Sequence, residues 1–492
     1  MDMREARKDF EAGRISLEQL FDLLDRQQRL IHRLQDRLHH LEQRLAQYEP
    51  DALRHTPDNP DNPQPSSSSY SLDAEERRRQ PRQRRKKSPG RRPTELKFAQ
   101  AELVEEIFPA GVPHAHCQVL RERAVWRLRD HRAVLVGYRI FGRPGGPEPA
   151  IPGVTPRCEY GIEILVVLAF LVYVIGVSQD KARAVLAFFS RLSLSRSQAD
   201  ALLRQLAHHW QEDFDTLCVL LAYAAVVYMD ETGWKVGSDS CALWTFASAC
   251  QRVFLFGCHK DAATLDAMLP PEVFGGIGVS DDAAVYRHRF AKGQKCWAHL
   301  LRKAIKLALL YPQRHKYQRF LDGLLGLYRE AQRVADDGRL GEAGRKAGVA
   351  ELEDRLCTLC LPYHGVATAG LSPPERDLCN LANELLDRLV DEELFTFVLH
   401  PEVEATNNFT ERLQRGPALE RKAGRTSKTA AGARRRSVIV SVLESLRANL
   451  KEFTLTSVLE EVQRWLSEGM SLFARQWQEL QDRLGPAVAD TG

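Results

Sequence analysis

Nowhere in these 492 residues does an apolar run reach the roughly 20 residues needed to cross a bilayer. The longest, Ile164–Val177, has 14 and reads as a buried helix, so no membrane partner is expected. Cysteine is sparse, with ten residues scattered along the chain rather than set in the repeated pairs of a disulfide scaffold or zinc ribbon. The N-terminus is charged and lacks the apolar stretch of a secretory leader, which predicts reduced thiols in a cytoplasmic protein. Cys357 and Cys360 make a single CxxC near His364, but no second pair lies close, and they read as core residues. A large net charge is also missing: at +4 the balance names no partner. Its distribution is more telling, because Arg77–Arg92 holds ten Lys or Arg and no acid. That stretch, with Arg84, Arg85, Lys86 and Lys87 at its centre, carries a field suited to polyphosphate.

What is present first is a heptad pattern. Leu17, Leu24, Ile31, Leu38 and Leu45 occupy one seam position, and Leu20, Gln27, Leu34, Leu41 and Tyr48 the other. A seam this strict and narrow predicts a dimerising coiled coil over residues 1–49, with Gln27 helping to fix register. Residues 50–97 are rich in Pro, Ser, Asn, Asp and Arg and are read as a disordered basic linker. Residues 98–220 are expected to form a mostly helical DNA-binding region that begins with a small hairpin at VWRLRD and AVLVGYRIF. Within it, SRLSLSRSQADALLRQL has the turn, Ser cap and second helix of a helix-turn-helix, bearing Arg196 and Arg204. Two neighbouring helices of any bundle would look the same.

The stretch that organises the rest is Val226–Trp234, VVYMDETGW, a β-favouring run expected to end on Asp230. GGIGVSDD is a second short strand ending on acids at Asp281 and Asp282, and EATNNFTERLQR carries Glu411 into a basic helix. Hard divalent cations take oxygen ligands, and two Mg²⁺ (or Mn²⁺) ions held by carboxylates activate an incoming oxygen and stabilise a leaving one in phosphodiester chemistry. Asp230, Asp281 and Glu411 are the metal-binding and catalytic candidates, with Glu231, Asp282, Glu402 and Glu404 as neighbouring alternatives. Asn407 or Asn408 is positioned to cap the helix of Glu411. Arg412, Arg415, Arg421, Lys422 and Arg425 follow in a tract nearly free of acid, which favours DNA phosphate contacts. Between the first acids, ALWTFASA and VFLFGCHK complete a meander, Leu265–Leu269 fits a crossover helix, and Gly276–Ser280 returns beside the first strand. This order resembles the ribonuclease-H-like fold. The expectation is an α/β catalytic domain over residues 221–455 with a helical insertion at about 297–399, then a helical tail over 456–492.

DETGW, the strand ending in SD with Tyr286 after it, CWAHLLR at Cys296–Arg302, TNNFTER at Thr406–Arg412, RKAGR and AGARRRS together resemble the transposases of the insertion-sequence 66 family. The likeness runs from about Tyr160 to Glu461. It implies a DDE-type transposase in which Asp230, Asp281 and Glu411 match the catalytic acids and His299 stands behind them, near the scissile phosphate. It also implies DNA ends and target DNA as partners, self-association, and small accessory transposition proteins. Members often carry paired cysteines for zinc between linker and core; here only Cys117, in HAHC, and then Cys158 occur, so no zinc site is expected. A catalytically silent DNA-binding derivative, or a metal-dependent nuclease that does not join, are the competing readings.

Overall fold

The computed structural model describes residues 93–367 and 369–484. The expected coiled coil, most of the linker and the cluster Arg84, Arg85, Lys86 and Lys87 lie outside the described residues. A short helix, α1 (Thr94–Phe98), falls at the end of the stretch read as linker. It is tied down there by Lys97, whose Nζ lies 2.8 Å from Glu159 Oε2.

Three strands follow, β1 (Leu103–Ile107), β2 (Gln118–Arg129) and β3 (Arg132–Gly142), in the order β1-β3-β2. The expected hairpin is β2 and β3, closed by Asp130 and His131, both at positive φ (46° and 63°), as a two-residue turn of right-handed sheet twist requires. β1 adds in parallel to β3, a pairing the sequence pattern does not announce. The chain then turns helical: α2 (Ile162–Ala169) runs into a π-helical turn at Phe170–Val174, followed by α3 (Gln179–Ser190), α4 (Arg196–His209) and α5 (Gln211–Ala222). Ser178 caps α3 by accepting from the Lys181 N–H, and Ser195 forms a capping box with Gln198 on α4.

The second sheet has five strands: β4 (Val226–Val236), β5 (Asp239–Ala247), β6 (Arg252–Cys258), then after α6 (Ala262–Met268) β7 (Ile277–Ser280) and β8 (Lys292–Lys295). Their order is β6-β5-β4-β7-β8, antiparallel on one side of β4 and parallel on the other. Helices α7 (Trp297–Leu310), α8 (His315–Asp336), α9 (Glu342–Cys360), α10 (Pro373–Val390) and α11 (Thr396–Leu399) come next. Then follow α12 (Asn408–Lys422), α13 (Ala430–Asn449), α14 (Leu455–Glu468) and α15 (Leu472–Leu484).

Side-chain alternation along β4 divides the interior. Val227 and Met229 enter a core shared with α4, α5 and α13, whereas Tyr228 joins Ile277 and Val279 in a second core with α7 to α11. Trp297 is fully buried in that second core, its indole N–H donating to the Leu394 carbonyl at 2.7 Å, so packing rather than base stacking occupies it. The exposed edge of the sheet, β6, is covered by α13. Ser437, Ser441 and Ser445 accept hydrogen bonds from the backbone N–H groups of Phe256, Phe254 and Arg252, each at 2.9 Å. Three otherwise unpaired edge donors are thereby satisfied inside the fold.

Candidate functional site

β4 does not stop at Asp230, as the sequence pattern suggests, but continues six residues to Val236, held by β5 through pairs from Asp230↔Thr245 to Val236↔Asp239. Its parallel partner β7 gives out earlier, the last pair being Tyr228↔Val279. Asp230 therefore stands where the sheet splits, on a strand still anchored from one side. Asp281 follows Ser280 at the end of β7, in line with Ile277 and Val279 and thus on the same face as Tyr228 and Asp230. Its Oδ1 accepts from the Ala283 N–H at 2.9 Å, which fixes the turn after the strand.

Glu411 lies in the first turn of α12. Asn407 begins that helix, yet its side chain makes no cap to the helix N–H groups, contrary to expectation. Instead Asn407 Nδ2 donates to the Met229 carbonyl at 2.7 Å, its Oδ1 accepts from Thr410, and its backbone N–H meets Cys296 Sγ at 3.1 Å. Asn407 is 1% exposed and joins the start of α12 to the residue just before Asp230. The backbone closes the same arrangement, with the Cys296 N–H donating to the Ser280 carbonyl and the Trp297 N–H to that of Ala405.

These connections bring three carboxylates that lie far apart in sequence to one electrostatic site. Burial, then the charges of Glu231 and Asp281, with Glu411 adding a smaller effect, push Asp230 up to about 7. The alternatives are otherwise engaged. Glu231, on the opposite face of β4, accepts from the Tyr286 hydroxyl and pairs with Lys260; its side chain is 2% exposed. Asp282 turns toward α10, with Arg388 Nε 3.0 Å away, close in distance but poorly aligned for a hydrogen bond. Arg388 in turn contacts Asp391 and Glu393, and Lys295 lies 3.5 Å from Glu393. Glu402 and Glu404 line a cavity of about 740 Å³ beside Tyr228 and Phe409.

Glu411 is met by two basic groups of α7: Arg302 Nη2 at 3.2 Å from Oε1, and His299 Nε2 at 3.8 Å. His299 Nδ1 is buried with no hydrogen-bond partner. Among the described residues no group of three His, Cys, Asp or Glu side chains is gathered closely enough to hold a metal ion. The donor set nonetheless suits a hard divalent cation, being all carboxylate oxygen with a surplus of negative charge around Asp230. Lys260, Arg302 and Arg388 were not singled out from the sequence. Only Arg302 carried a hint, one turn after His299 in CWAHLLR.

The basic tract divides by helix face. Arg412, Arg415 and Lys422 are exposed, whereas Arg421 reaches back to Thr232 Oγ1 (2.8 Å) and the Gly233 carbonyl, and Arg425 donates to the Gly176 carbonyl. In the possible helix-turn-helix, Arg196 is paired with Asp180 and Arg204 with Asp200.

An acid-lined split in a mixed sheet thus lies beside a helix with exposed arginines. The chain belongs to the transposase IS66 family, whose model matches residues 157–435, more than half of its length and inclusive of all three acids. Membership makes it a transposase, an enzyme acting on DNA. A search of curated proteins returned no match. No helix among the described residues is long and apolar enough to cross a membrane.

Proposed function

We propose that this transposase cuts DNA at the ends of its own mobile element and joins the freed 3′-hydroxyl to target DNA, using divalent metal held by Asp230, Asp281 and Glu411. The observation that carries the reading is Asp230 standing where β4 and β7 part, with Asp281 at the end of the neighbouring strand, burial and nearby carboxylates raising Asp230 to about 7. The strand order β6-β5-β4-β7-β8, with Asp230 and Asp281 on adjacent parallel strands, supports a ribonuclease-H-like catalytic domain. Bound Mg²⁺ or Mn²⁺ would activate the attacking oxygen and stabilise the leaving one. The chain's own part is to hold the carboxylates in place: β5 anchors the far half of β4, Asn407 fixes α12 against Met229, and Ala283 fixes the Asp281 turn. Arg302 pairs with Glu411, with His299 beside it, and stands ready for the negative charge of a DNA strand. Exposed Arg412, Arg415 and Lys422 extend that field along α12. Self-association through the N-terminal heptads, and cooperation with small accessory transposition proteins, complete the proposal.

The test is cleavage and joining of a labelled element-end duplex with Mg²⁺, comparing wild type with Asp230→Asn, Asp281→Asn and Glu411→Gln, with DNA binding measured for each. Binding retained and both reactions lost, by at least about a thousandfold, is expected of each variant. Normal cutting by any one of them removes that acid from the site. Cutting without joining by the wild type would make the chain a nuclease.

A further inference from the structure

Beyond the acids, a second cavity of about 370 Å³ opens where the segment after α12 crosses the start of α3. Four basic residues line it, Arg425, Lys428, Arg435 and Arg436. The one acid in that lining, Glu420, is already matched by Arg436 at 2.6 Å, and Arg435 is matched by Asp200 at 2.7 Å. Lys428 and Arg425 are exposed and leave the cavity with a net positive charge. Arg425 uses part of its five-donor fork on the Gly176 carbonyl, and the remaining N–H groups are available to a ligand. The capping residues Ser178 and Thr429 both line the cavity, so helices of 12 and 20 residues begin at its rim with their positive ends toward it. The wall is shaped for this space. Gly176 has φ 74°, and a Cβ there would meet Glu420 Cγ at 2.8 Å. A cavity with cationic side chains, backbone donors and no free carboxylate in its lining selects an oxyanion.

Its position says which one. Ser427, also in the lining, pairs with Val236 at the end of β4 and accepts from Trp234 Nε1 at 3.2 Å. Asp230 lies six residues back along the same strand, so the cavity sits roughly 20 Å from the proposed reaction centre at about 3.3 Å per residue. Successive phosphates of one strand advance ~3.4 Å along the duplex axis and also wind about it, so a straight separation of roughly 20 Å spans about three to four of them.

We propose that this cavity takes one backbone phosphate of the element-end DNA, a few nucleotides from the cleaved bond, and so sets the register of the duplex on the acids. The proposal rests on the transposase reading above.

The full-length chain is tested on element-end duplexes that each carry one uncharged methylphosphonate, scanned position by position, with wild type, Lys428→Ala and Lys428→Ala/Arg425→Gln compared. The wild type is expected to lose affinity about tenfold when the neutral linkage falls about three to four positions from the cleaved bond. Lys428→Ala is expected to bind unmodified DNA several-fold more weakly, with a salt slope smaller by about one, and to lose its response to that one linkage. Because Lys428 is exposed, the single variant gives the answer even if the double variant folds poorly. A Lys428→Ala protein that binds like wild type, or that still responds fully to the same methylphosphonate, overturns the cavity's role while leaving the catalytic reading intact. A wild type that does not bind element ends overturns both.

Discussion

The mouth of the cleft and the wall behind it treat adjacent acids in opposite ways. At the mouth Asp230 is raised to about 7, by burial first and then by the charges of Glu231 and Asp281. One residue further along each segment, Glu231 is held by Lys260 and Tyr286, and Asp282 by Arg388. The difference teaches that a doubled acid at the end of a strand is a division of labour. Alternation sends one carboxylate to the open face and the next into the fold, where a cation pairs with it, exposed Lys260 for Glu231 and buried Arg388 for Asp282.

The largest effect should come from breaking the wall. Arg388 is 4% exposed, and Arg388→Ala removes the buried cation shared by Asp282 and Glu393, leaving only Lys295 3.5 Å from Glu393. A loss of about 3–5 kcal/mol in urea unfolding is expected. An effect below about 1 kcal/mol would show that the wall is held by packing and that the contrast with the mouth is false.

The mouth should respond in the opposite sense. A carboxyl whose folded value is raised to about 7 is ionised in the unfolded chain from about pH 4 upward but in the folded chain only above about 7. The unfolded state therefore binds fewer protons between those values, and metal-free stability falls as pH rises through that window. Asp230→Asn has no such cost and should be more stable than wild type at pH 8 by about 2 kcal/mol. That is half the ~4 kcal/mol carried by the full displacement, because the carboxyl keeps some contact with solvent. At pH 4 the two should coincide. Added Mg²⁺ should raise the melting temperature of the wild type and not that of the variant. A variant less stable than wild type at pH 8 would remove the charge surplus from the site.

The smallest effect falls between the two regions, at Glu411. Arg302 is 54% exposed, so Arg302→Ala should change stability by less than about 1 kcal/mol while weakening DNA binding in low salt, with the deficit shrinking as salt is added. A salt-independent deficit would make Arg302 a packing residue.

Much of this architecture was legible because it rests on local patterns. The β2–β3 hairpin, the Ser cap before α4, the crossover helix, the return strand β7 and the helices from Trp297 onward all follow from alternation, capping and apolar period. What the chain does not disclose locally is who meets whom. Gly233 after Glu231 and Thr232 reads as a strand ending, yet β5 carries β4 on to Val236. The stretch KGQK has no apolar residue to announce a strand, but β8 has Gln294 and Lys295 buried, with Leu394 and Glu393 arriving from about a hundred residues away to satisfy them. Asn407 has the right place for a cap and instead bonds to Met229. The basic tract looks uniform in one dimension, and only the winding of α12 and its following turn separates Lys422, which faces solvent, from Arg421, which faces β4.

The three serines of α13 act as a ruler laid along an edge. Four residues of helix advance about 6.0 Å and two residues of strand about 6.6 Å, so a serine every fourth position stays nearly in step with every second backbone donor of β6. The two scales diverge by roughly 0.6 Å per rung, and over three rungs the accumulated slip is about 1.2 Å, near the limit of what hydrogen bonds can absorb by tilting. All three bonds nonetheless keep the same length, 2.9 Å, along the first five residues of β6. The fit also sets a direction of growth for the assembly. With this edge closed by side chains, a second chain cannot extend the sheet through β6, and copies of the transposase must meet through other surfaces.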